Sequence, residues 1–194
     1  MDINTRVQPF ISHRILFLVR GLLLSMIGFS VFILSIVNPE FRIMSTTGWL
    51  PMIAFVLILS GILESVDSYA ARESPIFLIY TNLAIVDLVT GIIILFELHN
   101  NPQRLVLLAT SFLFIKGSFR IFAALHTRPP NFRGLILTGV FSLLLGVIHW
   151  RGMPANGVVA FMSTCLALEL TIRGIVLVSF SLWLRKLSKC QINR

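Results

Sequence analysis

Charged residues are scarce in this chain of 194 residues: only 12% are Asp, Glu, Lys or Arg, whereas 56% are hydrophobic and the mean hydropathy is +0.90. A soluble protein of this size needs more polar surface than that. The net charge of +8 comes from basic residues that lie between apolar blocks, whereas nucleic-acid-binding proteins cluster them on a polar face beside aromatics. The composition therefore predicts an integral membrane protein surrounded by the lipid bilayer, with no nucleic acid partner.

Cysteine is also rare. Cys165 lies inside an apolar run and Cys190 in the C-terminal tail, without CxxC spacing, so neither a disulfide nor a zinc site is predicted. The chain has no HExxH or GxSxG motif and no phosphate-binding glycine loop, which are the usual signs of metal or catalytic sites. We therefore expect no catalytic residues, no metal, no cofactor and no enzymatic activity.

The four histidines are predicted at the membrane boundaries. His13 and His126 fall on the predicted inner side, and His99 and His149 on the outer side. The outer pair, which lies near Glu40 and Glu97, leaves a pH-sensing role open beside the ordinary role of interfacial histidines.

Long polar stretches are absent as well, and the chain divides into six apolar runs near the 20 residues that cross about 30 Å of hydrocarbon. We predict transmembrane helices at approximately 15–37, 48–70, 76–97, 104–125, 134–150 and 156–184. Segments rich in Pro, Asn and Gly separate them, and because these connections are short, neighbouring helices are expected to be antiparallel. The first run lacks an A-x-A-like cleavage site and is interpreted as a retained helix rather than a signal peptide. Residues 1–194 are thus predicted to form a single all-α transmembrane domain, an up-and-down bundle.

Lys and Arg in the flanking segments predict the orientation. Nine of them fall on the side of the N-terminus: Arg6, Arg14, Arg72, Arg128, Arg133, Arg185, Lys186, Lys189 and Arg194. The opposite side has three, which are Arg42, Arg104 and Arg151. Both termini are therefore predicted to be cytoplasmic.

A weak repeat recurs along the predicted helices. Each odd-numbered helix has a small residue followed seven positions later by glycine, and each even-numbered helix has a small residue in a similar apolar setting. The positions are Gly21 with Gly28, Ala84 with Gly91 and Gly139 with Gly146 in the odd helices, and Gly61, Gly117 and Ala167 in the even helices. Seven residues make about two helical turns, so each odd pair shares one face on which helices can approach closely. The pattern predicts three repeated helical hairpins, although small residues are common in any membrane helix.

Eight ionisable residues interrupt the apolar runs. They are four cations, Arg20, Lys116, Arg120 and Arg173, and four acids, Glu64, Asp67, Asp87 and Glu169. A charge at membrane depth costs about 2.5–3.5 kcal/mol on insertion scales. The equal numbers predict that these charges neutralise one another.

Depth along each helix predicts two tiers of pairs. Near the cytoplasmic boundary, we expect Arg20 and Arg120 to meet Glu64 and Asp67, because all four lie within about 10 Å of that face at 1.5 Å per residue. These four are also close enough to the boundary for snorkelling to explain them.

The second tier lies at mid-depth. There we expect Asp87 to meet Lys116 or Arg173. Glu169 precedes Arg173 by four residues, the favourable order for a local pair on one helix.

Two roles for this charge cluster remain open. In the first, buried pairs fix which helices touch and in what register, with no transport. In the second, the intramembrane acids and bases form a proton or ion relay. Two features disfavour the relay. The repeat is parallel rather than inverted, and no two helices are interrupted by Gly and Pro at corresponding positions, as they are at many midplane binding sites.

The chain resembles the HdeD family of bacterial acid-resistance membrane proteins. The resemblance covers about residues 15–186 and is carried by the six short-looped helices, the small-residue pattern, and segments such as GWLPMIAFVLILSGILES (48–65) and FMSTCLALELTIRGIVLVSFSLW (161–183). Lys116, Arg120 and Asp87 are more polar than is typical of that family. The resemblance implies a bacterial inner-membrane protein linked to acid or stress tolerance and built from repeated two-helix units.

The predicted function is therefore non-enzymatic, structural or regulatory, through interaction with copies of itself or another membrane complex. The alternatives are a small proton- or ion-linked channel or transporter, and an accessory subunit of a larger membrane complex.

Overall fold

Six α-helices make up the part of the chain that the computed structural model describes, which comprises residues 14–38, 49–70, 77–97, 102–127, 132–151 and 158–192, and no strand occurs among these residues. The helices are α1 (Arg14–Val37), α2 (Leu50–Ala70), α3 (Phe77–Glu97), α4 (Pro102–Thr127), α5 (Phe132–Arg151) and α6 (Val158–Ile192). Each coincides with a predicted apolar run. The all-α class and the number of helices agree with the sequence analysis.

The helix bounds follow from local sequence. α4 begins at Pro102, and proline suits the first position of a helix because it has no N–H to donate and its φ is already helical. Four helices are long and apolar enough to cross a membrane, within Ile15–Val37, Arg104–His126, Phe132–Arg151 and Val159–Arg185. In α2 a shorter apolar stretch, Leu50–Val66, is found. Crossing of the membrane by all six helices stays a prediction.

α6 is longer than predicted. It has 35 residues, which at 1.5 Å per residue is about 52 Å, well beyond the ~30 Å hydrocarbon core. The apolar run ends near Trp183, but the residues that follow include the good helix formers Arg185, Lys186 and Leu187. Because these residues favour helix, α6 extends beyond the end of the apolar run.

α1 packs most extensively against α6. The two helices are antiparallel. Gly21 lies beside Gly174, whereas Gly28, further along α1, lies beside Ala167, which comes earlier in α6. A β-carbon at Gly21 would lie 3.0 Å from the carbonyl oxygen of Gly174, and one at Gly28 would lie 2.9 Å from that of Ala167. Glycine is needed at both positions because a side chain would collide with the backbone of α6.

The same arrangement occurs in the α2–α3 pair. A β-carbon at Gly61 would lie 2.9 Å from the carbonyl oxygen of Ala84, and one at Gly91 would lie 2.8 Å from that of Ala54. These contacts again run in antiparallel register.

The α4–α5 pair is closest at one end. Gly117 and Gly139 oppose each other, with a β-carbon at Gly117 placed 2.8 Å from the Gly139 carbonyl oxygen. Gly146, at the other end of the pair, is looser, because a β-carbon there would meet nothing nearer than the Phe114 ring at 3.4 Å.

Apart from Gly146, the predicted small residues thus lie at close helix approaches. The prediction of three repeated helical hairpins is not confirmed. The closest pairs are instead α1–α6, α2–α3 and α4–α5. Each even helix also has two small residues seven positions apart: Ala54 and Gly61, Thr110 and Gly117, and Ala167 and Gly174.

The bundle has an apolar half and a charged half. We call the end where α1 begins and α2 ends the basal end, and the opposite end the apical end. Buried apolar side chains of the first half of α2 and of α4, such as Leu57 and Leu113, form the apical core together with Leu166 of α6. Buried charged residues lie between this core and the basal end.

Candidate functional site

Seven charged side chains are buried together in the bundle. They come from five helices: Arg20 of α1, Glu64 of α2, Asp87 of α3, Lys116 and Arg120 of α4, and Glu169 and Arg173 of α6. None is more than 5% exposed, and both Asp87 and Lys116 are 0% exposed. The eighth predicted member, Asp67, has a side chain that lies outside the described residues.

Asp87 is the central acid. One carboxylate oxygen accepts a hydrogen bond from Lys116 Nζ, and the other accepts one from Arg173 Nη1. Ser60 Oγ donates to the second oxygen at 3.4 Å. This carboxylate therefore joins α2, α3, α4 and α6 at one point.

Glu64 extends the cluster towards α1. Its Oε1 forms ion pairs with Arg173 Nη2 and with Arg20 Nη2, the latter at 3.1 Å. Arg20 also donates to the carbonyl oxygen of Ser60 at 3.3 Å and to its hydroxyl at 3.4 Å. Ser60 thus contacts both Arg20 and Asp87.

Glu169 extends the cluster in the other direction. Its Oε1 accepts a hydrogen bond from Arg120 Nη1 at 2.8 Å and lies 3.7 Å from Lys116 Nζ. Arg120 Nη1 also donates to Ser142 Oγ of α5 at 3.2 Å. All six helices therefore contribute at least one polar group.

Among the side chains that the structure describes, the ion pairs form one series in which the sign alternates at every step. In order, it runs Arg20, Glu64, Arg173, Asp87, Lys116, Glu169 and Arg120. We call this series the ion-pair chain. Each acid lies between two cations, and four cations with three acids give these residues a formal net charge of +1.

Helical spacing and small residues direct these side chains inwards. Lys116 and Arg173 each immediately precede a glycine at a close helix approach, Gly117 and Gly174. Lys116 is further held by the ring of Phe112, one turn earlier, with Nζ 4.6 Å from the ring centroid, a favourable cation–π geometry.

The electrostatic balance explains how the charges are tolerated. An isolated charge is expensive to bury, and ion pairing offsets this only when hydrogen bonds satisfy the remaining polar atoms. Asp87 meets this condition on both oxygens. Glu64 Oε2 and Glu169 Oε2 are buried without a hydrogen-bond partner among the described residues, so these two carboxylates are the least satisfied points of the ion-pair chain.

Several pairs agree with the sequence analysis. The structure brings Arg20 to Glu64, and Asp87 contacts both of its predicted alternatives, Lys116 and Arg173. Each of these contacts joins two different helices, as neutralisation by other helices requires.

Other pairs were predicted wrongly. Arg120 contacts Glu169, not Glu64, and the described contacts of Arg173 are with Glu64 and Asp87 rather than with its helical neighbour Glu169. The two tiers are consequently one continuous series. The reason is geometric, because Glu169 contacts α4 whereas Arg173, four residues later, contacts α2 and α3.

The sequence analysis missed the hydroxyl groups of the site. Ser60 and Ser142 were not singled out, although both are buried and hydrogen-bonded to charged members of the ion-pair chain. A signal was present for Ser60: it precedes Gly61 as Lys116 precedes Gly117 and Arg173 precedes Gly174. Aligning the even helices on these glycines would have found it.

His149 lies two residues before the end of α5, but its side chain is buried within the bundle. It is 0% exposed and stacks on Phe161 with ring centroids 5.6 Å apart, and neither ring nitrogen has a hydrogen-bond partner among the described residues. Burial arises because α5 turns this face towards α6. Its proposed pH-sensing companions His99 and Glu40 lie outside the described residues.

Metal ligands do not cluster in the described ranges, where no group of three or more His, Cys, Asp or Glu side chains is arranged to hold an ion. Cys165 is a buried free thiol. The arrangement offers hydrogen-bonded charges and no identified ligand set.

No family model, curated protein or solved structure matches the chain. The function must therefore be argued from the ion-pair chain and the surface around it.

Proposed function

We propose that the protein is a non-enzymatic membrane protein of the HdeD type with a structural or regulatory role, acting through contact with copies of itself or another membrane complex. The observation that carries this proposal is the ion-pair chain. Its members are buried and bonded to one another, so they fix the mutual positions of the helices. The outer surface, by contrast, exposes large apolar side chains such as Phe29, Phe55 and Phe96, which suit lipid or another transmembrane helix.

The membrane placement that we propose is six spans with both termini in the cytoplasm of a bacterial inner membrane. Aromatic residues support two boundary levels, because Trp and Tyr concentrate at membrane–water interfaces. Trp49 and Trp150 lie near the apical end, and Tyr69 and Trp183 near the basal end. The excess of Lys and Arg in the basal flanks favours the basal end as cytoplasmic. Reporter fusions to each connecting segment test this topology, and an apical segment found in the cytoplasm would overturn it.

A second candidate function is a proton- or ion-linked channel or transporter. The observation that favours it is the alternation of acid and base through the bundle, together with the unpartnered oxygens of Glu64 and Glu169. A carboxylate with a free buried oxygen has room to accept a proton, and intramembrane acids and bases often line transport pathways.

One double variant separates the two candidates. Asp87→Asn with Lys116→Met removes one acid and one base, so the formal charge of the ion-pair chain remains +1. Under the structural proposal the variant stays assembled and proteoliposomes show the same negligible ion flux with either protein. Wild-type flux that disappears in a folded double variant would instead establish the transport function.

Partners are tested by affinity purification in mild detergent. Stoichiometric recovery of another membrane protein would support the accessory-subunit form of the proposal, and recovery of tagged with untagged copies would support self-association. The link with acid tolerance rests on the family resemblance alone. Its test is survival of acid challenge by cells lacking the protein compared with complemented cells, and equal survival would contradict it.

A further inference from the structure

A groove runs along the outer surface of α5 beside α6. It follows α5 from Arg133 through Val140 to Leu144, and Ile172 of α6 forms part of its wall. Its volume is about 450 Å³, which is within the range of roughly 300–1,000 Å³ found for ligand pockets. Apart from Arg133, every residue that lines it is aliphatic or Phe. The groove is therefore an apolar slot with a cation at one end.

The length of the groove corresponds to one lipid leaflet. Leu144 lies eleven residues after Arg133, which is about 16 Å along the helix, whereas half of the hydrocarbon core is about 15 Å. Arg133 is the second residue of α5 and lies at the basal end. An acyl chain in the groove would therefore place its headgroup beside Arg133.

The charge at the mouth selects the headgroup. Arg133 is exposed, and a guanidinium matches the geometry of a phosphate with two parallel hydrogen bonds. The N-terminus of α5 adds partial positive charge at the same level, and the first turn of this helix contains no acidic residue to oppose it. Basic pockets between transmembrane helices are known sites for anionic headgroups.

We propose that this groove binds one anionic phospholipid of the basal leaflet, with an acyl chain along Val140 and the phosphate on Arg133. A second copy of the chain fits the groove less well. A second copy would place its own basic basal end next to Arg133, and the two positive charges would repel each other. A groove that ends at mid-membrane also matches one acyl chain rather than a whole transmembrane helix.

The test compares phosphatidylglycerol with phosphatidylcholine of the same acyl chains, by native mass spectrometry of the purified full chain. Arg133→Gln should weaken phosphatidylglycerol binding about fivefold, the effect of one interfacial cation, and should weaken phosphatidylcholine binding less, because the choline cation already offsets the charge of that phosphate. The matched control is Arg151→Gln, an exposed arginine at the other end of the same helix, which should bind as the wild type does.

The acyl slot has its own matched pair. Val140 and Val147 are both 44% exposed on α5, but only Val140 lines the groove. Val140→Trp should remove the tightly bound phosphatidylglycerol, and Val147→Trp should retain it. Equal binding of the two lipids, or equal loss in both variants of either pair, would overturn the proposal. So would a dimer that is lost in Val140→Trp whether or not lipid is added, because it would make the groove an interface between copies.

Discussion

Asp87→Asn is the substitution to which the ion-pair chain should be most sensitive. Asp87 is 0% exposed and accepts hydrogen bonds from Lys116, Arg173 and Ser60. The neutral amide leaves two buried cations without their shared acid and raises the formal charge of the series from +1 to +2. Removing one partner of a buried ion pair costs about 3–5 kcal/mol, a large fraction of the roughly 5–15 kcal/mol by which folded proteins are usually stable.

The assay is reversible unfolding in mixed detergent micelles, followed by far-UV circular dichroism. Lys116→Met on its own should also destabilise, because it leaves Asp87 with one cation fewer. The double variant should recover about 2–3 kcal/mol relative to the sum of the single variants, since replacing both partners of a buried pair is often close to neutral. Additive effects, or a loss below about 1 kcal/mol for Asp87→Asn, would refute the reasoning.

Two further predictions concern packing. Gly174→Ala should destabilise the bundle by about 1–3 kcal/mol through overpacking, because the new β-carbon would lie 2.6 Å from the Gly21 carbonyl oxygen. The control, Gly146→Ala, should be neutral or stabilising in the same unfolding assay, because the nearest atom to its β-carbon is 3.4 Å away. Equal losses of stability in the two variants would contradict this prediction. His149→Phe should stabilise the protein by about 1 kcal/mol, since it removes two buried nitrogens that have no hydrogen-bond partner in the described part of the chain and keeps the stack on Phe161. A loss of stability would show that the imidazole has a polar partner.

The positions of the helices could be predicted because each helix corresponds to one apolar run of nearly membrane-spanning length. Each predicted helix begins and ends within two residues of the observed bounds, apart from the end of α6. That end was missed because the apolar run stops near Trp183 while helix formers continue. Burial of the charges was also predictable, since each lies within an apolar run.

The pairing of the charges was predictable only in part. Residue number gives depth along a helix, and depth alone correctly joined Arg20 with Glu64. It does not give the direction in which a side chain points around the bundle, and this direction decides that Arg120 meets Glu169. The packing of α1 on α6 has no local signal either, because it joins the two ends of the chain.

The most direct test of the account is the distance between Lys116 Nζ and the Asp87 carboxylate carbon, measured by solid-state NMR dipolar recoupling in lipid bilayers with ¹⁵N-lysine and ¹³C-aspartate labels. Lys116→Met identifies the lysine signal. The ion-pair chain predicts a distance below about 4 Å, the range of an ion pair. Absence of recoupling, as expected when the two groups are more than about 6 Å apart and point separately into lipid or water, would contradict it.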